Sequence, residues 1–158
     1  MFDVGHKVVY PMHGAGIIER IEKQELMGQE QEYYIVSLQN NEMQVMIPVN
    51  RACELGLRGI HTREVYKKVF LVLEGDAREL SDNWNHRYRA NMEKLKTGNI
   101  EDTAEVIKDL FLRDQTRGLS TGEKKMLDNA LEILASELSL AADVSCKEAR
   151  SRILSCMS

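Results

Sequence analysis

The residues with most to offer chemically lie in the run Asn83-Trp84-Asn85-His86-Arg87-Tyr88-Arg89-Ala90-Asn91. It holds the single tryptophan of a 158-residue chain. A large flat ring set among arginines and amides is the equipment of a nucleic-acid contact: the ring stacks or wedges, and the charges hold phosphate. A tryptophan in a helix also serves as core, with its neighbouring arginines as a solvated face. The residues themselves leave both readings open. Lys124-Lys125 likewise reads as a solvated helix end or as a reach toward phosphate.

Other candidate chemistry is sparse. Gly14-Ala15-Gly16 lacks the third glycine of a dinucleotide fingerprint and falls between expected strands, so it reads as a tight turn. His6 and His13 have no second pair at ligand spacing, so no metal is expected. Cys53 and His61 lie eight residues apart, with no acid placed to orient the imidazole, and make a weak nucleophile–base pair. Cys146 and Cys156 read as ordinary helix residues, Glu101-Asp102 as a solvated helix end. Three cysteines with no CxxC spacing suit free thiols in a reducing cytoplasm. No pair of carboxylates is spaced for acid–base work. Neither an enzyme, a cofactor nor a small-molecule substrate is expected.

Charge limits the nucleic-acid reading. The net charge is −4, from 21 basic and 25 acidic side chains. Residues 1–74 carry 8 basic and 10 acidic groups, and residues 75–158 carry 13 and 15. Neither half is a basic domain that grips DNA alone. Any DNA contact must be local, weak or helped by a partner. No apolar stretch reaches membrane-span length, and the start does not read as a signal peptide.

The elements that must position these residues change period midway. Lys7–Tyr10, Ile17–Glu22, Glu32–Leu38 and Met43–Pro48 read as short strands, with turns at Met27-Gly28-Gln29 and Gln39-Asn40-Asn41. Four or five such strands predict a small, bent antiparallel β-barrel of Tudor/SH3 type over residues 1–55. Residues 56–158 read as an all-helical domain, so the class is α+β. Arg51–Leu55 allows a turn or two. Arg63–Leu73 puts Val65, Val69, Val72 and Leu73 on one face, with Tyr66 and Phe70 beside them. The Trp84 helix ends near Lys96, before Gly98, and another runs from Glu101 to Arg117, before Gly118. Ser120 with Glu123, and Ser145 with Glu148, fit the capping box. Leu127, Ala130, Leu131, Leu134, Leu138 and Ala141 form the expected core face of the long helix between them.

At 100° per residue, Trp84, Tyr88, Met92 and Leu95 form one stripe of their helix. Arg87 and Lys94 flank it on one side, Arg89 and Lys96 on the other. Such a helix buries Met92 and Leu95 while its first turn projects, with Trp84 between Arg87 and Arg89. Helix N-terminal amides are favourable near phosphate.

Three blocks of the chain, in order, carry a likeness. Val4-Gly5-His6-Lys7-Val8-Val9-Tyr10-Pro11-Met12-His13-Gly14-Ala15-Gly16 resembles the opening of the CarD/CdnL family of bacterial transcription regulators. Asn83 to Leu95 and Arg113 to Leu127 resemble it as well, so the likeness covers nearly the whole length. The resemblance implies a Tudor-like domain that binds the β subunit of RNA polymerase, as in transcription-repair coupling factors, and a helical domain that meets promoter DNA at the upstream edge of the transcription bubble. It implies that Trp84 wedges into the minor groove, that Arg89 and Lys124 lie toward the DNA backbone, and that the open promoter complex is stabilised. Arg87 joins them as an expected phosphate contact from its place on the stripe. The polymerase contact is expected at Gln24, Val45, Met46 and Ile47. Family members often carry arginines where Gln24 and Met46 stand here, so a more apolar contact is expected, while Val45 and Ile47 equally suit the barrel interior. The chain is thus expected in the bacterial cytoplasm, at the nucleoid through polymerase. A protein-interaction adaptor without a DNA role is the alternative.

Overall fold

The computed structural model describes residues 1–40, 42–76 and 82–157. Asn41 of the expected turn, and Ser81 of the polar run before Trp84, lie outside the described residues.

The first part is an antiparallel sheet in the order β4-β3-β2-β1-β5. Its strands are β1 (Lys7–Tyr10), β2 (Gly14–Leu26), β3 (Gln29–Leu38), β4 (Gln44–Pro48) and β5 (Arg58–Gly59). The sheet does not close into a barrel; β4 and β5 are its edges. β2 and β3 form a long hairpin that turns at Met27 and Gly28, both at positive φ, the geometry that tight hairpins require. A register shift between Ile18 and Arg20 bends β2. The inner face carries Val8, Ile18, Tyr34, Val36, Leu38 and Ile47. Period-two alternation makes that assignment, since Tyr34, Val36 and Leu38 all point one way along β3.

Gly14-Ala15-Gly16 is not the turn its composition suggests. The turn is at Pro11–His13, and the triplet opens β2. Gly16 is there because a Cβ would lie 2.3 Å from the Ser37 carbonyl oxygen of β3. Gly16 serves a close strand approach instead of a reversal, and Gly14, at φ +115°, starts β2 beneath Ser136 of α4.

A single 3-10 turn at Val49–Arg51 leads to five helices: α1 (Arg63–Glu74), α2 (Trp84–Lys96), α3 (Ile100–Thr116), α4 (Thr121–Ala142) and α5 (Cys146–Met157). Gly98 and Gly118, at φ +71° and +80°, follow the ends of α2 and α3 as the sequence predicts. One core unites α1, α3, α4 and α5 through Val69, Leu73, Ile107, Leu110, Leu134 and Ile153, all essentially inaccessible. Leu127, Ala130, Leu131, Leu134 and Leu138 of α4 are buried, whereas Ala141 near its end is exposed.

The two parts are packed together. Val9 and Ala15 bury against Leu140 of α4, with Ile17 and Ile60 beside them. The Ala15 amide donates to Ser136 Oγ at 2.9 Å, and Lys7 Nζ to the Leu140 carbonyl at 2.9 Å. Arg58 of β5 forms a two-pronged ion pair with Glu137, at 2.8 and 3.2 Å. Tyr66 Oη donates to the same carboxylate at 2.9 Å. Burial, then the neighbouring Glu137 charge, push the Tyr66 phenol well above the ordinary tyrosine range, so it stays a donor.

Candidate functional site

The first turn of α2 is fixed from both sides. Asn83 stands just before it in extended conformation, and its Oδ1 accepts the His86 amide at 3.1 Å. Trp84 follows, 44% exposed. Its ring stacks on Tyr88 with centroids 5.6 Å apart and planes 27° apart. Its Nε1 donates to Ser120 Oγ at 2.6 Å. Ser120 is the N-cap of α4, and its Oγ also accepts the Glu123 amide at 3.2 Å and donates to Glu123 Oε1 at 3.1 Å. The Glu123 carboxylate in turn accepts from the Ser120 amide at 3.3 Å, completing the predicted capping box. A hydroxyl has one proton and two lone pairs, so the Ser120 oxygen is fully used. The indole is therefore exposed but not loose.

Arg87 departs from the expected phosphate contact. Its guanidinium turns inward and grips Glu123 at 2.7 Å (Nε to Oε2) and 2.8 Å (Nη2 to Oε1). The two side chains are 5% and 0% exposed. The hydrogen bonds from Arg87 hold the Glu123 carboxyl below the usual carboxylate range, against the opposing effect of burial. The same bonds raise the Arg87 pKa. A buried arginine of this kind needs its partner and has no face left for DNA. The buried row of α2 is Arg87, Asn91 and Leu95, one ridge round from the predicted stripe. Trp84, Tyr88 and Met92 thus form the rim of the helix interface: Trp84 exposed, the other two half-buried.

Arg89 and Lys124 are exposed and have no ion-pair partner among the described residues. Lys124 lies in the turn that Ser120 caps, beside the atoms that hold the indole. Asp82, the acid nearest in sequence to Trp84, is bound to Arg117 at 2.7 Å. No acid stands in the first turn of α2. The corner thus combines an aromatic rim, an unpaired Arg89 and Lys124, and a neighbouring carboxylate already neutralised.

The second set of expected residues falls on β4 and its neighbours. Met46 pairs in register with Ile35 of β3, which pairs with Arg20 of β2. Gln24 pairs with Gln31, four residues along β3 from Ile35, so Gln24 and Met46 share the outer face. Met46 is exposed and Gln24 half-buried, its amide 3.4 Å from Glu22. Ile47 is fully buried in the inner core and Val45 packs partly against it. Alternation along β4 decides this: Met46 faces out, so both its neighbours face in. Ile47 offers nothing to a partner except its backbone, which lies on a sheet edge.

The remaining candidates are not assembled. His6 Nδ1 accepts the Asp3 amide at 3.1 Å, while the His13 ring stacks on Tyr10. No group of three or more metal-ligating side chains gathers among the described residues. The cavity beside His61 is not lined by Cys53, so the two do not share a site. No helix, among the described residues, is long and apolar enough to cross a membrane.

Comparison with known proteins gives matches along nearly the whole chain. Residues 2–69 match the family model described as CarD-like/TRCF RID domain, and residues 68–154 match CarD, C-terminal domain. A relative described as "Putative transcription factor YdeB", from Bacillus subtilis (strain 168), is 38% identical over 151 residues, spanning 96% of this chain and 99% of its own. A solved structure described as "CdnLNt from Myxoccoccus xanthus" is 40% identical, covers 40% of this chain and 89% of its own, and superposes with a TM-score of 0.35.

Proposed function

The chain belongs to the CarD family of transcription regulators, and from that premise we propose that it docks on the RNA polymerase β subunit and stabilises the open promoter complex by wedging Trp84 into the minor groove at the upstream edge of the bubble. The observation that carries this reading is the Trp84 corner. An exposed indole is held in one orientation by Ser120 and Tyr88, with Arg89 and Lys124 as available cations. Wedges of this kind offset an unstacking cost of roughly a few kcal/mol per base step, and a ring already locked loses less entropy on insertion.

In this mechanism the sheet binds polymerase through the outer face and backbone edge near Met46 and Gln24. The Arg58–Glu137 pair and the Val9–Ala15–Leu140 contact then fix where the helical part stands. Docking supplies DNA at high effective concentration, which reconciles a net charge of −4 with a DNA role. Arg89 and Lys124 contact phosphate without reading sequence. Arg87 does not touch DNA; it positions α2 against α4. Preference for the melted promoter over the closed one shifts the equilibrium toward opening, whereas equal affinity would shift nothing. We place the protein in the bacterial cytoplasm, bound to nucleoid DNA through polymerase.

The test is a promoter-opening assay with cognate polymerase, with and without the protein and its Trp84→Ala variant. We expect the parent to lengthen the open-complex lifetime and the variant to lose most of that gain while still binding polymerase. An unchanged lifetime with a folded, polymerase-bound variant would sink the wedge.

A further inference from the structure

A concavity that the transcription reading leaves unused lies between α1, the end of α4 and α5. It measures about 330 Å³, within the span of small-ligand sites of about 300–1,000 Å³. Its wall is apolar: Phe70 from α1, Leu138 from α4 and Ala149 from α5. Ala141 and Ala142, at the exposed end of α4, open its mouth because they are small.

The charged side chains that line it, among the described residues, are all basic. Arg63 and Lys67 line it from α1, one helical turn apart and hence on one side. Both are exposed, and neither has an ion-pair partner among the described residues. Arg152 of α5 joins them, shared with Glu148 at 2.9 Å in a pair that is half open to solvent. Among the described residues no acidic side chain lines the cavity, and Glu148 stands beside it only as the partner of Arg152. Glu64 is the next residue on α1 after Arg63, about 100° round the helix and not among the lining residues. Burial, then the Arg58 charge, depress the His61 pKa, leaving that ring neutral at pH 7 as a polar but uncharged part of the wall. The Tyr66 hydroxyl is already committed to Glu137 and to the His61 amide.

This arrangement costs the isolated protein something. Like charges at i and i+4 destabilise a helix, and cations in the first turn oppose its dipole. An anion between them relieves both effects. The apolar wall beneath then selects an anion with a hydrophobic body over a bare inorganic one.

We propose that this cavity binds a small amphipathic organic anion, with its acidic head among Arg63, Lys67 and Arg152 and its aliphatic or aryl body against Phe70, Leu138 and Ala149. The site is separate from the Trp84 corner and from the β4 edge, and it stands whether or not the promoter reading holds.

The test uses the full chain with two probes, decanoate below its micelle concentration and 2-naphthoate, and the neutral decan-1-ol as control. Binding is followed by calorimetric titration and by backbone amide NMR shifts. At least one anion should bind one-to-one and saturably, moving amides at His61–Phe70 and Ala141–Arg152. Decan-1-ol should bind at least tenfold more weakly. Lys67→Glu should weaken the anion at least tenfold, and Ala142→Phe, which fills the mouth, should abolish binding. Both substituted positions are exposed, so both variants should stay folded, with Lys67→Glu melting at or slightly above the parent because it removes the like-charge pair. The proposal is overturned if neither anion binds saturably at millimolar concentration, if decan-1-ol binds as well as decanoate, or if folded Lys67→Glu binds unchanged.

Discussion

The two candidate contact surfaces are built on opposite plans. At the Trp84 corner every polar atom that positions the ring is committed: indole to Ser120, Ser120 to Glu123, Glu123 to Arg87. At the β4 edge the polar side chains bond one another in the open, Gln44 to Glu19 at 2.6 Å and Arg20 to Glu22 at 2.5 Å, and none of these bonds fixes Met46. Met46 is an exposed, flexible side chain, Gln24 makes one long bond, and the fixed element on offer is the strand backbone of the edge. The first surface is preorganised and depends on particular side chains. The second depends on main chain and shape, and tolerates side-chain change. A ring that must enter a narrow groove gains from rigidity, whereas strand addition takes its affinity from backbone hydrogen bonds.

The sharpest way to break this contrast is to remove the buried carboxylate. Glu123→Ala takes from the buried Arg87 its two-pronged carboxylate partner and deletes the capping box, and should cost about 3–5 kcal/mol by chemical denaturation. A loss under about 1 kcal/mol, the scale of an ordinary cap, would show that the corner is not held as described. Next comes Trp84→Ala. Its open-complex effect should be about tenfold in lifetime, equivalent to about 1.4 kcal/mol, with the fold retained. The β4 edge should respond less. Met46→Ala should change polymerase affinity less than about threefold, and Met46→Asp, which sets a charge against the docking partner, about tenfold at most. If Met46→Ala instead costs as much as an interface hot spot, about 2 kcal/mol, the edge is a side-chain surface after all.

Smaller effects refine the picture. Arg89→Gln should leave stability unchanged and lower the salt slope of polymerase-assisted DNA binding by about one, whereas Arg87→Gln should principally destabilise. A slope change with folded Arg87→Gln alone would reverse the two assignments. The last is a pH effect. Glu123 titrates lower in the folded protein than its ordinary value of about 4.3, so its contribution to stability is complete above that value. It is lost as pH falls through the depressed folded value. Acid unfolding of Glu123→Gln should therefore be less steep below pH about 4 than that of the parent.

Much of the molecule was legible in order. Helix ends at Gly98 and Gly118, and the capping box at Ser120, follow from local backbone chemistry, so they fall where the residues predict. The Gly14–Gly16 error has the same origin. Glycine marks both a turn and a close strand approach, and only the position of Ser37 across the sheet distinguishes them. The bent antiparallel strands and the helices after them are as expected, while the edges of the sheet, β4 and β5, are set by pairing that no one strand encodes.

The residues alone determined that Trp84 opens a helix in basic, polar company, that the chain carries a net charge of −4, and that a strand-rich half precedes a helical one. Only the tertiary structure decided which arginine is free. Arg87 and Arg89 are two residues apart and equivalent in composition. Glu123, 36 residues from Arg87, turns one of them inward and leaves the other in solvent. The same holds for Ser120 under the indole and for Ile47 in the core. Local propensity acts over a few residues, but burial of a charge and the facing of a strand are settled by partners distant in sequence.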